Sequence, residues 1–249
     1  MTPKKLCLPV LLLTLAVASP LIMSGVPADA APVKAAAFTP APAVIPASAP
    51  ETPIVRPGAT TAFAHGVAGL SPQLLTTALA AISSAHERGI SGRDDLLTII
   101  DYSLPSTTPR LWVLDLAQGK VLFHELVAHG SGSGDNYAVR FSNTMESRQT
   151  SLGLFRTGGT YEGGNGYSLK LQGLERGVND RAEERHIVIH GAWYVSAEHA
   201  RRQGRLGRSW GCPALSEAVA HSVIDTIKNG SFVFAYASEA STSLTKYAG

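Results

Sequence analysis

Arg208-Ser209-Trp210-Gly211-Cys212-Pro213-Ala214-Leu215 is the stretch on which the reading of this 249-residue chain turns. It holds one of only two cysteines. The other, Cys7, lies in an N-terminal segment that reads as removable, so the mature chain is expected to carry a single thiol and no internal disulfide. Gly211 permits a tight turn, or a close approach of backbone to substrate. Pro213 disfavours helix at Cys212 but suits the first turn of a helix beyond it. Residues 216–229 read as that helix, because Val219, Val223, Ile224 and Ile227 share one face and Asn229-Gly230 is a stop signal. A thiol at a helix N-terminus would meet free N–H groups and the positive end of the dipole, both of which favour thiolate.

A nucleophile needs a base. Arg185-His186-Ile187-Val188-Ile189-His190-Gly191 reads as a strand ended by glycine. Strand alternation places His186, Val188 and His190 on one face, so either histidine can point at the thiol. His190, at the strand's end where side chains meet a cleft, is the preferred base.

His190-Gly191 at a strand end, followed about twenty residues on by Ser209-Trp210-Gly211-Cys212, resembles the murein L,D-transpeptidase catalytic domain family (YkuD-type). The longer string Gly207 to Ala214 carries the same likeness, and the resemblance covers about residues 110–237. It implies two-step acyl transfer by Cys212 with His190 as base. Backbone N–H groups around Gly211 and Cys212 would hold the oxyanion, and Ser209 would bond within the turn or orient the histidine. The implied substrates are peptidoglycan stem peptides that lose D-alanine. The acyl acceptor is an amine, or water, in which case the same residues give an L,D-carboxypeptidase. The resemblance implies no cofactor. Many family members carry an arginine two places after the cysteine, and here that place is Ala214. Arg208 and Arg205 are the candidates to take its role.

The chain is 45% hydrophobic, enough for one sizeable core with extensions. Its formal net charge is +2, and losing Lys4, Lys5 and Asp29 with residues 1–30 leaves about +1. No basic block interleaves with aromatics, so no nucleic-acid partner is expected. Lys4-Lys5, an apolar run over residues 6–17 and Ala28-Asp29-Ala30 have the three parts of a secretory signal peptide. The run is too short to span a bilayer comfortably, so an exported protein is expected, periplasmic or in the wall, with no stable membrane span after cleavage. A lone exported thiol is a liability unless used or buried. Oligomeric state is not legible.

Residues 31–58, rich in alanine and proline, read as a linker. Residues 59–109 read as a helical prefix: a helix opened by Ser71-Pro72, then a second short helix over residues 94–102. Residues 110–237 read as the catalytic domain, starting with a hairpin turned at Gln118-Gly119, and residues 238–249 as a tail. The expected fold is mostly β (α+β), a mixed sheet or sandwich with the short helical prefix and a helix following the cysteine.

His129 heads a glycine-alternating loop expected at the rim of the site, and is a further candidate site histidine. Tyr161 and Tyr167, in a glycine-rich stretch, are candidates to line the substrate cleft, with Gly191, Trp210 and Arg208 as other substrate contacts. The arginines at 201, 202, 205 and 208 read either as a solvated basic face or as receptors for stem carboxylates. Three competing readings stand beside the acyltransferase. Cys212 is a buried structural residue, or His186 and His190 are a metal pair, or the domain binds cell wall without catalysis. The four-residue spacing of the histidines suits a helix rather than this β-branched run, and no third ligand is evident.

Overall fold

The computed structural model describes Phe63 and residues 65–238. The expected signal (1–30) and linker (31–58) lie outside the described residues, as does the tail beyond residue 238. In chain order the elements begin with α1 (Pro72–Glu87), β1 (Arg93–Asp101), β2 (Leu111–Asp115) and β3 (Lys120–Glu125). Next come β4 (Gly153–Gly163), β5 (Gly166–Gly173) and β6 (Val188–Gly191). Then follow α2 (Ala197–Gln203), β7 (Ala214–Leu215), α3 (Glu217–Ile227) and β8 (Ser231–Tyr236). The strands form one eight-stranded mixed sheet in the order β3-β2-β1-β8-β4-β5-β6-β7. Among the described residues the fold has three helices, and its mostly β class is as expected.

The segment read as a second prefix helix is instead β1, near the middle of the sheet. It pairs parallel with β8 on one side and antiparallel with β2 on the other. Leu96 to Ile100 are all buried. A strand covered on both faces has a continuous apolar run, and that run's periodicity does not separate it from a buried helix. The first helix forms as expected: Ser71 Oγ accepts the Leu74 N–H at 3.4 Å, and Leu74, Leu75, Ala78, Leu79 and Ile82 face the core. Among the described residues no helix is long and apolar enough to cross a membrane.

The two ends of the sheet meet. Beyond β3, the Ala128 N–H donates to the Ala214 carbonyl of β7 at 2.8 Å, and the Ala214 N–H donates back at 3.4 Å. The next residues continue the contact: Ser209 N–H to the His129 carbonyl at 3.0 Å, then Ser131 N–H to the Ser209 carbonyl at 2.8 Å. The segment at 129–134 is therefore packed beneath the cysteine turn rather than placed at its rim. Gly130 makes this possible, since a Cβ there would lie 2.3 Å from the Arg148 carbonyl and 2.8 Å from Gly211 Cα.

Arg110 anchors the closure from below. It is fully buried, and it donates to the Val127 carbonyl from Nε and Nη2, to the Leu104 carbonyl from Nη1 at 2.6 Å, and to His129 Nδ1 at 2.8 Å. Its guanidinium also sits 5.0 Å from the Tyr102 ring centroid. Burial pulls its pKa down to about 10, still charged at neutral pH. Arg110→Met would strip three buried acceptors of their donor, at roughly 1–3 kcal/mol each. Urea unfolding should show a loss of at least about 3 kcal/mol, and a loss below about 1 kcal/mol would mean that water replaces the guanidinium.

Candidate active site

Cys212 stands where the closed sheet presents a strand edge. In the parallel register of β6 and β7, His190 lies beside Ala214. Two residues upstream on each chain, Val188 lies beside Cys212. The Val188 N–H reaches Sγ at 3.5 Å, and Sγ faces the His186 carbonyl at 3.6 Å. The two-residue strand β7 intervenes between Cys212 and α3, so the thiol is not at a helix N-terminus. This corrects the expectation that a helix dipole activates it. Burial pushes the thiol above its ordinary 9.0, opposed by the Val188 N–H and by the charge of Arg185.

The turn that carries the thiol is held by Ser209. Its Oγ donates to the Cys212 carbonyl at 2.6 Å and accepts the Gly211 N–H at 3.1 Å. Gly211 has φ +127°, and a Cβ there would lie 2.9 Å from the Gln149 carbonyl, so only glycine fits.

His190 is buried and on the face of β6 that Val188 shares. Its Nδ1 lies 2.8 Å from the Gly191 carbonyl. A carbonyl only accepts, so Nδ1 carries the proton and Nε2 keeps its lone pair. Burial lowers the pKa of His190 from 6.5, and the bond to Gly191 opposes this. The ring is therefore a neutral base at neutral pH. His186 precedes β6 with φ +53°, so its carbonyl rather than its ring meets the thiol.

The remaining candidates separate. Gly191 gives its carbonyl to His190, while its Cα packs on α3, where an added Cβ would lie 3.1 Å from that of Ala220. Tyr161, facing Ser168 across the β4–β5 pair, lines a cavity of about 370 Å³ with Lys170, His186 and Val188, next to the thiol's strand. Tyr167 lies away from the cleft. It donates to Asp225 of α3 at 2.7 Å and stacks on His221, because strand alternation sends it to the opposite face. Trp210 is 75% exposed under the Arg148 guanidinium. Arg208 bonds the Gly134 carbonyl and Asp135, both at 2.9 Å, and Arg205 also faces Asp135. His129 is no second base. Its Nδ1 accepts from Arg110, and burial with that neighbouring charge drives its pKa down to about 4.

The arginine beside the thiol is Arg185, which sequence reasoning treated only as the start of a strand. It donates to the Ser142 and Gln149 carbonyls, each at 2.6 Å, and to Ser147 Oγ and Ser151 Oγ. It thus ties the 142–151 segment to the Cys212 turn, and Nη2 would lie 3.4 Å from a Cβ on Gly211. Ala214 itself is fully buried, paired with β6 on one side and bridged to Ala128 on the other.

This geometry meets its family here: residues 67–236 match the family model of the L,D-transpeptidase catalytic domain. The chain belongs to the L,D-transpeptidase family. Among solved structures it is similar to an L,D-transpeptidase from Mycobacterium smegmatis (16% identity, TM-score 0.36, covering 57% of this chain and 58% of that one). It is also similar to one from Stackebrandtia nassauensis (16%, 0.34, 65% and 65%). A third is the helical cell shape determining protein Pgp2 from Campylobacter jejuni (16%, 0.36, 57% and 47%). The chain thus spans less than two thirds of the length of these structures. No curated protein matches it.

For this L,D-transpeptidase domain the pKa directions predict the behaviour of the thiol. Alkylation of Cys212 by iodoacetamide should rise with a midpoint above pH 9.0, the ordinary thiol value. Arg185→Gln should move that midpoint further up, because a cation favouring thiolate is gone. It should also cost about 1–3 kcal/mol of stability, since two carbonyls lose a charged donor. A midpoint near pH 7 would contradict the neutral-thiol reading.

Proposed function

We propose that this protein is an exported cysteine acyltransferase that remodels peptidoglycan by L,D-transpeptidation. The observation that carries the reading is the His190 ring, fixed by Gly191 with its Nε2 lone pair free, on the strand that flanks Cys212. The L,D-transpeptidase family assignment supports a peptidoglycan substrate. Export rests on the signal-like pattern of residues 1–30, and places the work in the periplasm or wall.

The reaction is two acyl transfers. As Cys212 Sγ attacks the carbonyl that precedes the terminal D-alanine of a tetrapeptide stem, its proton passes to His190 Nε2. The tetrahedral oxyanion is held by the Cys212 N–H. The Gly211 N–H is engaged by Ser209, and Pro213 has none. The C–N bond breaks, His190 returns the proton to the departing amine, and D-alanine leaves a thioester on Cys212. An acceptor amine then attacks the thioester, loses its proton to His190, and expels the thiolate, which takes the proton back. Water in place of the amine yields the tripeptide, the carboxypeptidase outcome.

Incubation with a disaccharide tetrapeptide should give an adduct on Cys212, detectable by intact-protein mass spectrometry, together with free D-alanine. Dimers among the products indicate an amine acceptor, and tripeptides indicate water. Cys212→Ala should abolish the adduct, and His190→Gln should slow its formation by about 10²–10⁴-fold, the range expected for a lost general base. A folded protein with a titratable thiol but neither adduct nor D-alanine would refute the proposal in favour of a wall-binding module.

A further inference from the structure

The loop after the base carries a feature that the transfer chemistry does not use. Trp193 follows His190 by three residues and is 70% exposed. Its ring is nonetheless held in place, edge-on to Tyr194 at 5.8 Å and to His199 of α2 at 5.6 Å between centroids. Each side of it opens into a cavity. One, of about 340 Å³, is lined with Ser196 and Glu198. The other, of about 300 Å³, is lined with Ser131, Tyr194 and Arg208. Trp193, His199 and Gln203 line both, so the two form one groove with the indole at its centre. These volumes fall in the roughly 300–1,000 Å³ range of small-molecule sites.

The inner end of the groove abuts the catalytic turn. The Ser131 N–H donates to the Ser209 carbonyl at 2.8 Å, and the Gly207 N–H to the Tyr194 carbonyl at 3.0 Å.

The indole decides the class of occupant. Of the groove's three arginines, Arg202 faces Glu198 at 3.2 Å, while Arg205 and Arg208 share the one carboxylate of Asp135, at 3.8 and 2.9 Å. At the centre, between these charges, lies an apolar platform flanked by amide, hydroxyl and imidazole groups. That suits a ligand with an apolar face and a hydroxyl-bearing rim. Pyranose rings have both: axial C–H bonds on the face and hydroxyls around the edge.

We propose that the Trp193 groove binds the glycan portion of the substrate, with one N-acetylhexosamine ring stacked on the indole. The inference rests on the peptidoglycan reading above, since that polymer joins such sugars to stem peptides. The groove contributes affinity rather than chemistry.

Two measurements separate this inference from the reading beneath it. The first needs no catalysis: a β-1,4-linked N-acetylglucosamine tetrasaccharide is titrated into the protein while the indole N–H cross-peaks of its three tryptophans are followed by NMR. The Trp193 peak should shift in a saturable way, with Trp112, buried in the core, unmoved. Trp193→Ala should weaken binding at least tenfold and Trp210→Ala less than twofold. No saturable shift, or equal binding by Trp193→Ala, overturns the proposal. The second compares turnover of a disaccharide tetrapeptide with that of the free tetrapeptide. Trp193→Ala should raise KM for the first by about tenfold, and leave kcat for both and KM for the second unchanged. Equal loss on both substrates would make Trp193 a structural support of the loop instead. Failure of the wild-type protein to turn over either substrate would count against the acyltransferase reading, while the titration still decides the groove.

Discussion

Ala214 is hydrogen-bonded on both sides, and the position of the thiol follows from that constraint. One edge of β7 runs parallel to β6, and the other exchanges hydrogen bonds with Ala128 beyond β3. A two-residue strand has too few ladder bonds of its own to be stable. Held between two neighbours it becomes rigid, and the residues just before it are carried to a fixed place. Cys212 then lies beside Val188, two residues short of His190 on the same strand. Arg110 below and Arg185 alongside hold the segments that complete this arrangement, each through several carbonyls rather than a carboxylate. A buried guanidinium that saturates backbone acceptors keeps loop segments in register where no regular secondary structure does so.

The same closure sets the electrostatics. Cys212 and His190 are both buried, and desolvation works against charge on each, raising one pKa and lowering the other. The resting pair is neutral, which avoids burying two separated charges in a poor dielectric. On the proposed mechanism, charge would be created only when substrate receives the sulfur, and the Gly191 carbonyl would then stabilise the imidazolium through Nδ1–H. That mechanism calls for a poised donor and acceptor rather than a preformed thiolate.

Much of this was legible in the sequence, and the failures have physical causes. Ser71-Pro72 marked a helix start correctly because capping is local chemistry. The hairpin at Gln118-Gly119 was recoverable because a turn too is set by local residue type. The 94–102 segment was misread because a strand buried on both faces loses the alternation that identifies it. The helix-dipole idea failed on β7, whose two residues carry no pattern and exist only through tertiary pairing. Tyr167 was placed in the cleft when its strand parity, once the register with β6 is known, sends it to α3. Arg185 was overlooked because its importance comes from hydrogen bonds to two carbonyls and two serine hydroxyls some forty residues away in sequence. No local signal marks that. That Val188, two residues before His190, lies beside Cys212 was legible in outline, because a strand-ending His-Gly and a cysteine in a Gly-Cys-Pro turn stand out by residue type.

The neutrality of the resting pair is the central claim, and the protonation state of His190 tests it most directly. Nitrogen-15 NMR of histidine-labelled protein distinguishes a protonated from a bare ring nitrogen. At neutral pH, without substrate, His190 should show a protonated Nδ1 and a bare Nε2, and it should become doubly protonated only below its ordinary pKa of 6.5. Two protonated nitrogens at pH 7, reverting to one in Cys212→Ala, would reveal a preformed thiolate–imidazolium pair and contradict the account.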